Sequence, residues 1–522
     1  MGTTDVRLFD LLRASARRWP DKPAAVLPGG ESISFAGLDA RSNQVARRLG
    51  GLGIGRGDRV ALFCDNTLPA LLWFWGVIKS GAQSVDIPTL AGRSVIQGIL
   101  DEARPRAIAF EARQFARFRG GDDAVRLPAI WLSTDEVRAQ AGVASAHLHS
   151  LADILASEPP DLADPGTGAD EVALVVYTSG TTGRPNGVML SHRNFVSNLE
   201  AANLLMHLSA ADSILVVVPL YYIHGRMQLL LHAMLGGTMY ISAGFQFPQK
   251  VLEEISACAT TGFSGVPYHF RQLLDRTRIA DTPPPQLRYV LVTGGALAGE
   301  DLERLHRALP TVGIHIAYGQ TEASPRITWI GPDDLFRKRG SLGKALPGVK
   351  VEILGASGES VGPGETGEVV ASGPNIMKGY VGGDERELGK IDGQGRLRTG
   401  DLGWLDDDGY LFLAGRSSEM IKSAGERIFP QEIESVIATH PQVRECAVIG
   451  LPDPVLGERI VAYVTVVPGS PLNLGELRQH CLQSLPYVRV PGHFEIAAEL
   501  PRTDSGKISR AAIRKLAGGS AT

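Results

Sequence analysis

The stretch Tyr177-Thr-Ser-Gly-Thr-Thr-Gly-Arg-Pro-Asn-Gly187 is the most informative part of the sequence. It begins at the end of residues 171–177 (EVALVVY), a nearly continuous apolar run that is typical of a strand covered on both faces. Within the six residues from Thr178 to Gly183 the chain carries four hydroxyl side chains and two glycines. Glycines allow backbone N–H groups to turn towards a small anion, and hydroxyl groups add further donors. The stretch therefore predicts an anion-binding loop, with an ordinary surface turn as the alternative.

Strand and helix patterns alternate on both sides of this loop. Apolar spacing predicts an N-terminal helix that Pro20 ends, and a second helix over residues 70–78. Short apolar runs predict strands at residues 60–63, 107–110, 215–218 and 289–292. This alternation predicts α/β layers with parallel strands.

The sequence pattern changes after about residue 340, where short predicted strands are separated by Gly-rich turns. Residues 348–354, 367–371 and 409–414 predict a β-rich subdomain. A βαβ-like pattern follows, with helices at residues 430–439 and from Leu474, and strands at 445–449 and 460–467. About 100 residues are enough for a separate domain. We predict an N-terminal domain over residues 1–415 and a C-terminal domain over residues 416–522.

Composition excludes several classes of protein. The chain has 522 residues, 44% of them hydrophobic, and a net charge of −4 from 52 basic and 56 acidic side chains. This balance favours a globular protein and gives no general argument for a nucleic-acid partner. The four cysteines lie far apart without CxxC spacing, which favours reduced thiols over a zinc site or disulfides. The sequence shows no secretory signal, and its longest apolar region, residues 229–235, is too short for a membrane span. We therefore expect a soluble, cytoplasmic protein.

Four further motifs identify a family. They are Tyr318-Gly-Gln-Thr-Glu322, Thr399-Gly-Asp401, Gly415-Arg416 and Pro501-Arg-Thr-Asp-Ser-Gly-Lys507. Together with the hydroxyl-rich loop, and in this order, they resemble the adenylate-forming superfamily of acyl-CoA synthetases, peptide-synthetase adenylation domains and luciferases. The resemblance covers nearly the whole chain. It implies an α/β fold with a large N-terminal domain of layered α/β subdomains plus a β-rich subdomain, and a small mobile α+β C-terminal domain.

The resemblance also implies a two-step reaction. A carboxylate attacks the α-phosphate of ATP to give an acyl-adenylate and pyrophosphate, and a thiol or another nucleophile then displaces AMP. In-line attack at phosphorus requires aligned reactants and neutralised charge. The implied donors to the β- and γ-phosphates are Thr178, Ser179, Gly180, Thr181, Thr182 and Gly183.

The resemblance also implies contacts to the rest of the nucleotide. Tyr318 would stack on adenine beside Gly319 and Gln320, Thr321 would contact the α-phosphate, and Glu322 would bind Mg²⁺, an ion that prefers oxygen ligands. Asp401 and Arg416 would contact the ribose. At Gly294, Gly295 and Ala296 the resemblance implies that the backbone approaches adenine and the acyl group closely.

Two lysines would act in turn on the C-terminal domain. Lys507 would bring its charge to the reacting oxygens in the first step. Residues 420–428 resemble the loop that replaces it after a domain rotation, with Lys422 and Gly425 as second-step candidates. Ser418 is the hinge candidate, where the family commonly has Asp or Lys.

The sequence departs from the family at the end of the hydroxyl-rich loop. The family usually ends this loop Pro-Lys-Gly, whereas this chain has Pro185-Asn186-Gly187. A positively charged side chain that would face pyrophosphate is therefore missing. Arg184 would compensate, or ATP would be held more weakly.

The acyl pocket is predicted from residues 219–225 (PLYYIHG), in which His224 matches the gate for the carboxylate. A packed core histidine is the alternative. Residues 219–228 contain no acidic side chain, so an α-amino acid is disfavoured and a neutral, aromatic or fatty acid fits better. The other predicted pocket residues are Tyr222, Gly265, Val266 and Gly295.

The leading hypothesis is an acid–CoA ligase that uses ATP, Mg²⁺ and CoA. A second hypothesis is a standalone adenylation enzyme that loads the phosphopantetheine arm of a separate carrier protein. A third, from another class, is a catalytically weak nucleotide-binding sensor, and a fourth is an enzyme with an unusual acceptor such as an amine.

Overall fold

The computed structural model describes residues 5–118, 124–134, 136–137, 148–178, 185–295, 297, 299–383, 389–467, 469–502 and 508–519. The helices are α1 (Leu8–Arg18), α2 (Phe35–Gly51), α3 (Leu68–Lys79), α4 (Arg93–Ala103), α5 (Ala112–Phe118), α6 (Leu151–Ser157), α7 (His192–Met206), α8 (Ile223–Leu235), α9 (Pro248–Ala257), α10 (Pro267–Arg276), α11 (Gly299–Ala308), α12 (Pro332–Leu335), α13 (Pro430–Ile437), α14 (Leu474–Ser484) and α15 (Arg510–Gly519). The strands are β1 (Pro23–Val26), β2 (Ser32–Ser34), β3 (Arg59–Phe63), β4 (Gln83–Asp86), β5 (Ala107–Phe110), β6 (Ile130–Ser133), β7 (Leu148–Ser150), β8 (Val172–Thr178), β9 (Asn186–Ser191), β10 (Ser213–Val216), β11 (Thr238–Ile241), β12 (Gly262–Gly265), β13 (Tyr289–Thr293), β14 (Gly313–Gly319), β15 (Arg326–Ile330), β16 (Lys344–Ala345), β17 (Lys350–Leu354), β18 (Gly367–Ser372), β19 (Gly379–Tyr380), β20 (Leu397–Leu405), β21 (Leu411–Arg416), β22 (Ile421–Ser423), β23 (Glu426–Ile428), β24 (Val443–Asp453), β25 (Gly457–Val466) and β26 (His493–Ile496).

An eight-stranded sheet in the described residues has the order β19-β9-β8-β4-β3-β5-β6-β7. Its strands from β8 to β7 are parallel, and β9 and β19 extend one edge in antiparallel pairing. The apolar runs that predicted strands at residues 60–63, 107–110 and 171–177 form β3, β5 and β8, whose consecutive residues are buried on both faces of the sheet. These predictions are confirmed.

A nine-stranded sheet in the same part of the chain has the order β16-β15-β14-β13-β12-β10-β11-β1-β2. Strands β10, β12, β13 and β14 are parallel, so their carboxyl ends lie at one edge. The predicted strand at residues 215–218 ends earlier, at Val216. The carbonyl of Val218 instead accepts a hydrogen bond from the Asn66 amide at 3.0 Å, as the chain turns towards α8.

The two sheets share an apolar core. Helix α3 contributes Trp73, Phe74 and Trp75, which are fully buried, and α8 contributes Leu230. Such complete burial of large side chains is the main stabilising contribution in a domain of this size.

A four-stranded antiparallel sheet, β17-β18-β20-β21, confirms the predicted β-rich subdomain. A last sheet is built from β22 to β26 and has its own apolar core around α13 and α14. Within it β24 and β25 are antiparallel, so only β25, α14 and β26 form the predicted βαβ unit. The fold class, α/β with a separate C-terminal domain, is confirmed. The boundary between residues 415 and 416 stays a prediction.

The helices of the described residues include none with the length and apolar character needed to cross a membrane. All four cysteines are free, as predicted.

Candidate active site

Three neighbouring strand ends form the floor of the site. β12 ends at Gly265, β13 at Thr293 and β14 at Gly319, and the register pairs Gly265 with Val292 and Thr293 with Ala317. The predicted pocket residue Val266 and the predicted backbone contacts Gly294 and Gly295 therefore follow adjacent strands at one edge. Gly294 has φ +80°, a left-handed conformation that favours glycine. Ala296 lies outside the described residues.

Tyr318, Asp401 and Arg416 are brought together by two different sheets. The Tyr318 hydroxyl donates to Asp401 Oδ2 at 2.6 Å, and Arg416 Nε donates to Asp401 Oδ1 at 3.0 Å. Burial raises the pKa of Tyr318 well above its ordinary value, and the Asp401 carboxylate adds to the rise. The phenol therefore keeps its proton and remains a donor. A carboxylate has about four acceptor positions, so Asp401 retains capacity for a further hydroxyl group on each oxygen.

A short turn aims the Asp401 carboxylate. Gly400 has φ +76°, and the backbone N–H of Asp401 donates to Thr399 Oγ1 at 3.1 Å. The Thr399 hydroxyl in turn donates to the carbonyl of Val369 at 2.7 Å. The Thr-Gly-Asp motif thus fixes the backbone of Asp401, while Tyr318 and Arg416 hold its carboxylate.

Glu322 is buried, with 9% of its surface exposed, in a single 3₁₀ turn at residues Thr321–Ala323. Its Oε1 accepts a hydrogen bond from the Tyr380 hydroxyl at 2.8 Å. The described residues contain no cluster of three or more His, Cys, Asp or Glu side chains that could hold a metal ion. Mg²⁺ is typically bound through one or two carboxylates, with phosphate and water oxygens completing its shell. The lone buried carboxylate of Glu322 fits that pattern.

His224 lies in the first turn of α8, after the N-cap residue Tyr222. Its Nε2 is 2.7 Å from the hydroxyl of Ser264 on β12, and that hydroxyl donates to the carbonyl of Leu291 at 3.2 Å. A serine hydroxyl has a single hydrogen, so His224 carries a proton on Nε2 and donates it. A Cβ at Gly225 would lie 2.3 Å from the carbonyl oxygen of Pro219, which explains why the first turn of α8 needs glycine at this position.

The hydroxyl-rich loop is anchored by paired strands. Thr178 at the end of β8 faces Asn186 at the start of β9, and Tyr177 faces Gly187. Ser179, Gly180, Thr181, Thr182, Gly183 and Arg184 lie outside the described residues. Asn186 therefore occupies the last paired position beside the loop, directly across from Thr178.

Only one of the two candidate lysines of the C-terminal domain lies in the described residues. Lys422 lies exposed on β22, and Lys507 lies outside the described residues. The flanking residues Arg502 and Ile508 pair with each other, and the Arg502 guanidinium lies over the ring of Tyr268 on α10 at 4.9 Å. Arg502 thus lies next to α10, the helix that follows Val266.

The sequence did not indicate two polar residues of this site, Tyr380 and Lys390. Tyr380 contacts Glu322 because β19 pairs with β9. Lys390 donates to Gln320 Oε1 at 3.3 Å and to the carbonyl of Thr399 at 3.2 Å. No local sequence pattern marks these residues, because each contact joins segments far apart in the chain.

Comparisons with known proteins agree with this geometry. Residues 12–381 match the AMP-binding enzyme family, and residues 432–507 match the AMP-binding enzyme C-terminal domain. The chain belongs to the AMP-binding enzyme family of the adenylate-forming superfamily. The superfamily predicted from the motifs is therefore confirmed.

Similar proteins with known names indicate the enzyme class. The chain is 30% identical to sulfoacetate–CoA ligase of Cupriavidus necator, over 97% of this chain and 98% of that one. It is 33% identical to feruloyl-CoA synthase of an Amycolatopsis species, over 95% and 98% of the two chains. The ATP-bound structure of MatB from Rhodopseudomonas palustris superposes with a TM-score of 0.88 at 27% identity, over 98% of this chain and 99% of that one. The predicted class, an AMP-forming acid–thiol ligase of the acyl-CoA synthetase type, is confirmed.

Proposed function

We propose that this acyl-CoA synthetase uses CoA as its acceptor and acts on a small carboxylic acid without an α-ammonium group. The observation that carries the proposal is the convergence of His224, the ends of β12 to β14 and the Tyr318–Asp401–Arg416 cluster at one edge of the nine-stranded sheet. A nucleotide and an acid bound at adjacent strand ends have the proximity that in-line attack requires.

In the proposed first step the protein orients the nucleotide and neutralises the charge on its phosphates. Asp401 and Arg416 hold the ribose, and Tyr318 supports Asp401 while its ring faces adenine. Thr321 and Thr178, with Ser179 to Gly183 of the loop, donate to the phosphates. Glu322 would hold Mg²⁺, which supplies charge neutralisation on the phosphate oxygens when bound.

The acid is proposed to lie between α8 and the end of β12. The Nε2–H of His224 donates to Ser264 and would be redirected to the carboxylate, because a charged acceptor forms the stronger hydrogen bond. Tyr222, Gly265, Val266 and Gly295 would line the remaining wall. Lys507 would complete the charge neutralisation at the reacting oxygens.

In the proposed second step the C-terminal domain rotates, so that Lys422 and its loop replace Lys507. The thiol of CoA attacks the acyl carbonyl carbon, the new C–S bond forms, and the bond to AMP breaks. The thiol proton leaves to solvent. Phosphopantetheine on a carrier protein would react in the same way, and the cytoplasmic location stays a prediction.

The experiment is pyrophosphate release from ATP across a panel of aromatic, short polar and fatty acids, with and without CoA. We expect release that depends on one class of acid, and formation of the acyl-CoA only when CoA is present. Turnover that is independent of CoA would favour a carrier protein or another acceptor. An absence of release with every acid would favour a nucleotide sensor and would refute the proposal.

A further inference from the structure

Lys390 joins the two segments that carry the proposed contacts to adenosine. Its Nζ donates to Gln320 Oε1 at 3.3 Å and to the backbone carbonyl of Thr399 at 3.2 Å. Gln320 follows β14 and Thr399 lies on β20, so one ammonium group links the nine-stranded sheet to the four-stranded sheet. Each contact lies two residues from a member of the hydrogen bond between Tyr318 and Asp401.

A short turn holds Lys390 opposite the carbonyl that it contacts. The backbone N–H of Arg398 donates to the carbonyl of Lys390 at 2.8 Å. The Asp392 carboxylate closes the turn, because its Oδ1 accepts from the backbone N–H of Arg396 at 3.0 Å and its Oδ2 accepts from Arg396 Nε at 2.7 Å. The chain therefore returns to the residue before Thr399 with Lys390 alongside it.

Lys390 also determines which way the Gln320 amide is turned. An ammonium group can only donate, so the amide oxygen of Gln320 faces Lys390 and the amide nitrogen takes the other position. Gln320 Nε2 is buried and has no partner in the described residues. Leaving a buried donor unsatisfied costs free energy, and a bound molecule that accepts from it recovers that cost.

We propose that Lys390 is a positioning residue for the nucleotide, which holds the Gln320 amide and the Thr399 carbonyl so that Asp401 contacts the ribose and Tyr318 contacts adenine. The inference rests on the proposed function, because it takes Tyr318 and Asp401 as the contacts to adenosine. Groups that are held in place before binding lose less conformational freedom when the ligand arrives. Lys390 acts through protein groups, so its effect falls on the adenosine end of ATP rather than on the phosphates.

Calorimetric measurement of ATP binding tests the proposal without any acid. We expect Lys390→Met, which removes the charged donor from a side chain of similar length, to raise the Kd for ATP by about tenfold. Lys390→Arg keeps a charged donor and should bind ATP more tightly than Lys390→Met. Lys350→Met is the matched control, because Lys350 is an exposed lysine of the same four-stranded sheet, and it should leave the Kd unchanged.

Two further nucleotides separate positioning from direct phosphate binding. AMP should lose affinity by the same factor as ATP in Lys390→Met. 2′,3′-Dideoxy-ATP lacks the hydroxyl groups that Asp401 would accept from, so the substitution should weaken its binding clearly less than that of ATP. A larger loss for ATP than for AMP would show that Lys390 contacts the phosphates. Equal losses for ATP and the dideoxy nucleotide would show that it does not act through the ribose contact, and either result would overturn the inference.

The outcomes also separate this inference from the proposed function. With an acid that supports pyrophosphate release, Lys390→Met should raise the KM for ATP and leave kcat nearly unchanged, because the lost binding is common to the ground state and the transition state. An unchanged Kd for ATP in Lys390→Met would overturn the inference while leaving the ligase activity standing. Pyrophosphate release with no acid would overturn the proposed function, and a wild-type protein that does not bind ATP would overturn both.

Discussion

At the scale of single residues, Asn186 is the main departure from the family. It starts β9 opposite Thr178, directly after the hydroxyl-rich loop in the chain. A lysine there would add a charge-assisted contact to pyrophosphate oxygens. We expect Asn186→Lys to lower the KM for ATP by up to about tenfold, which corresponds to about 1.4 kcal/mol. Asn186→Gln serves as the neutral control, and an unchanged or higher KM in the lysine variant would contradict the expectation.

Lys507 allows the two half-reactions to be separated. We expect Lys507→Ala to slow acyl-adenylate formation by about 100-fold or more, because it removes the charge that is proposed to stabilise the transition state. Thioester formation from supplied acyl-adenylate should remain close to the wild-type rate. Lys422→Ala should show the opposite pattern, and equal loss in both half-reactions for Lys507→Ala would refute its role.

At the scale of elements, a buried ion pair joins α8 to the eight-stranded sheet. Arg226 Nη2 lies 2.7 Å from Asp86 Oδ2 at the end of β4, and the two side chains are 5% and 1% exposed. The guanidinium also lies over the ring of Phe74 at 3.8 Å. The pair therefore fixes the helix that carries His224.

Breaking this pair should cost stability. We expect Arg226→Met alone to lower the free energy of unfolding by about 3–5 kcal/mol, because it leaves the Asp86 carboxylate buried without its partner. The double variant with Asp86→Leu should recover most of that loss. Urea unfolding of the two single variants and the double variant measures the coupling, and additive losses would show that the two groups act independently.

The sequence predicted those parts of the site that are encoded locally. The hydroxyl-rich loop follows a predicted strand, and Glu322 and Asp401 lie in short motifs whose roles stay predictions. Tyr380 was missed because its contact with Glu322 arises only when the distant strands β19 and β9 pair. The strand predicted at residues 215–218 ends at Val216, and the Val218 carbonyl accepts a hydrogen bond from the Asn66 side chain instead. The apolar pattern does not indicate such a bond.

At the scale of the whole molecule, four buried histidines make stability depend on pH. Burial lowers the pKa of His192, His232, His269 and His315 to about 4. The ordinary value is about 6.5, so between pH 6.5 and 4 the unfolded chain binds more protons than the folded one. The free energy of unfolding should therefore fall as pH decreases through this window, by about 1.4 kcal/mol per pH unit for each histidine.

A single substitution checks this expectation. His192→Asn should reduce the loss of stability between pH 6.5 and 5 by about 2 kcal/mol relative to the wild-type protein. His493→Asn, at an exposed position, should leave the loss unchanged. Urea unfolding at the two pH values gives the comparison, and an equal loss in wild type and His192→Asn would contradict the assignment.

One carboxylate lies between the N-terminal and C-terminal parts of the chain. Glu445 Oε1 accepts from Arg271 on α10 at 2.5 Å and from Arg502 at 2.6 Å. A swing of the terminal domain large enough to exchange Lys507 for Lys422 would part Glu445 from Arg271. Because dissolved ions screen the attraction between partly exposed charges, ionic strength would favour that separation. The salt concentration would then determine how long the enzyme stays in the domain arrangement of each half-reaction.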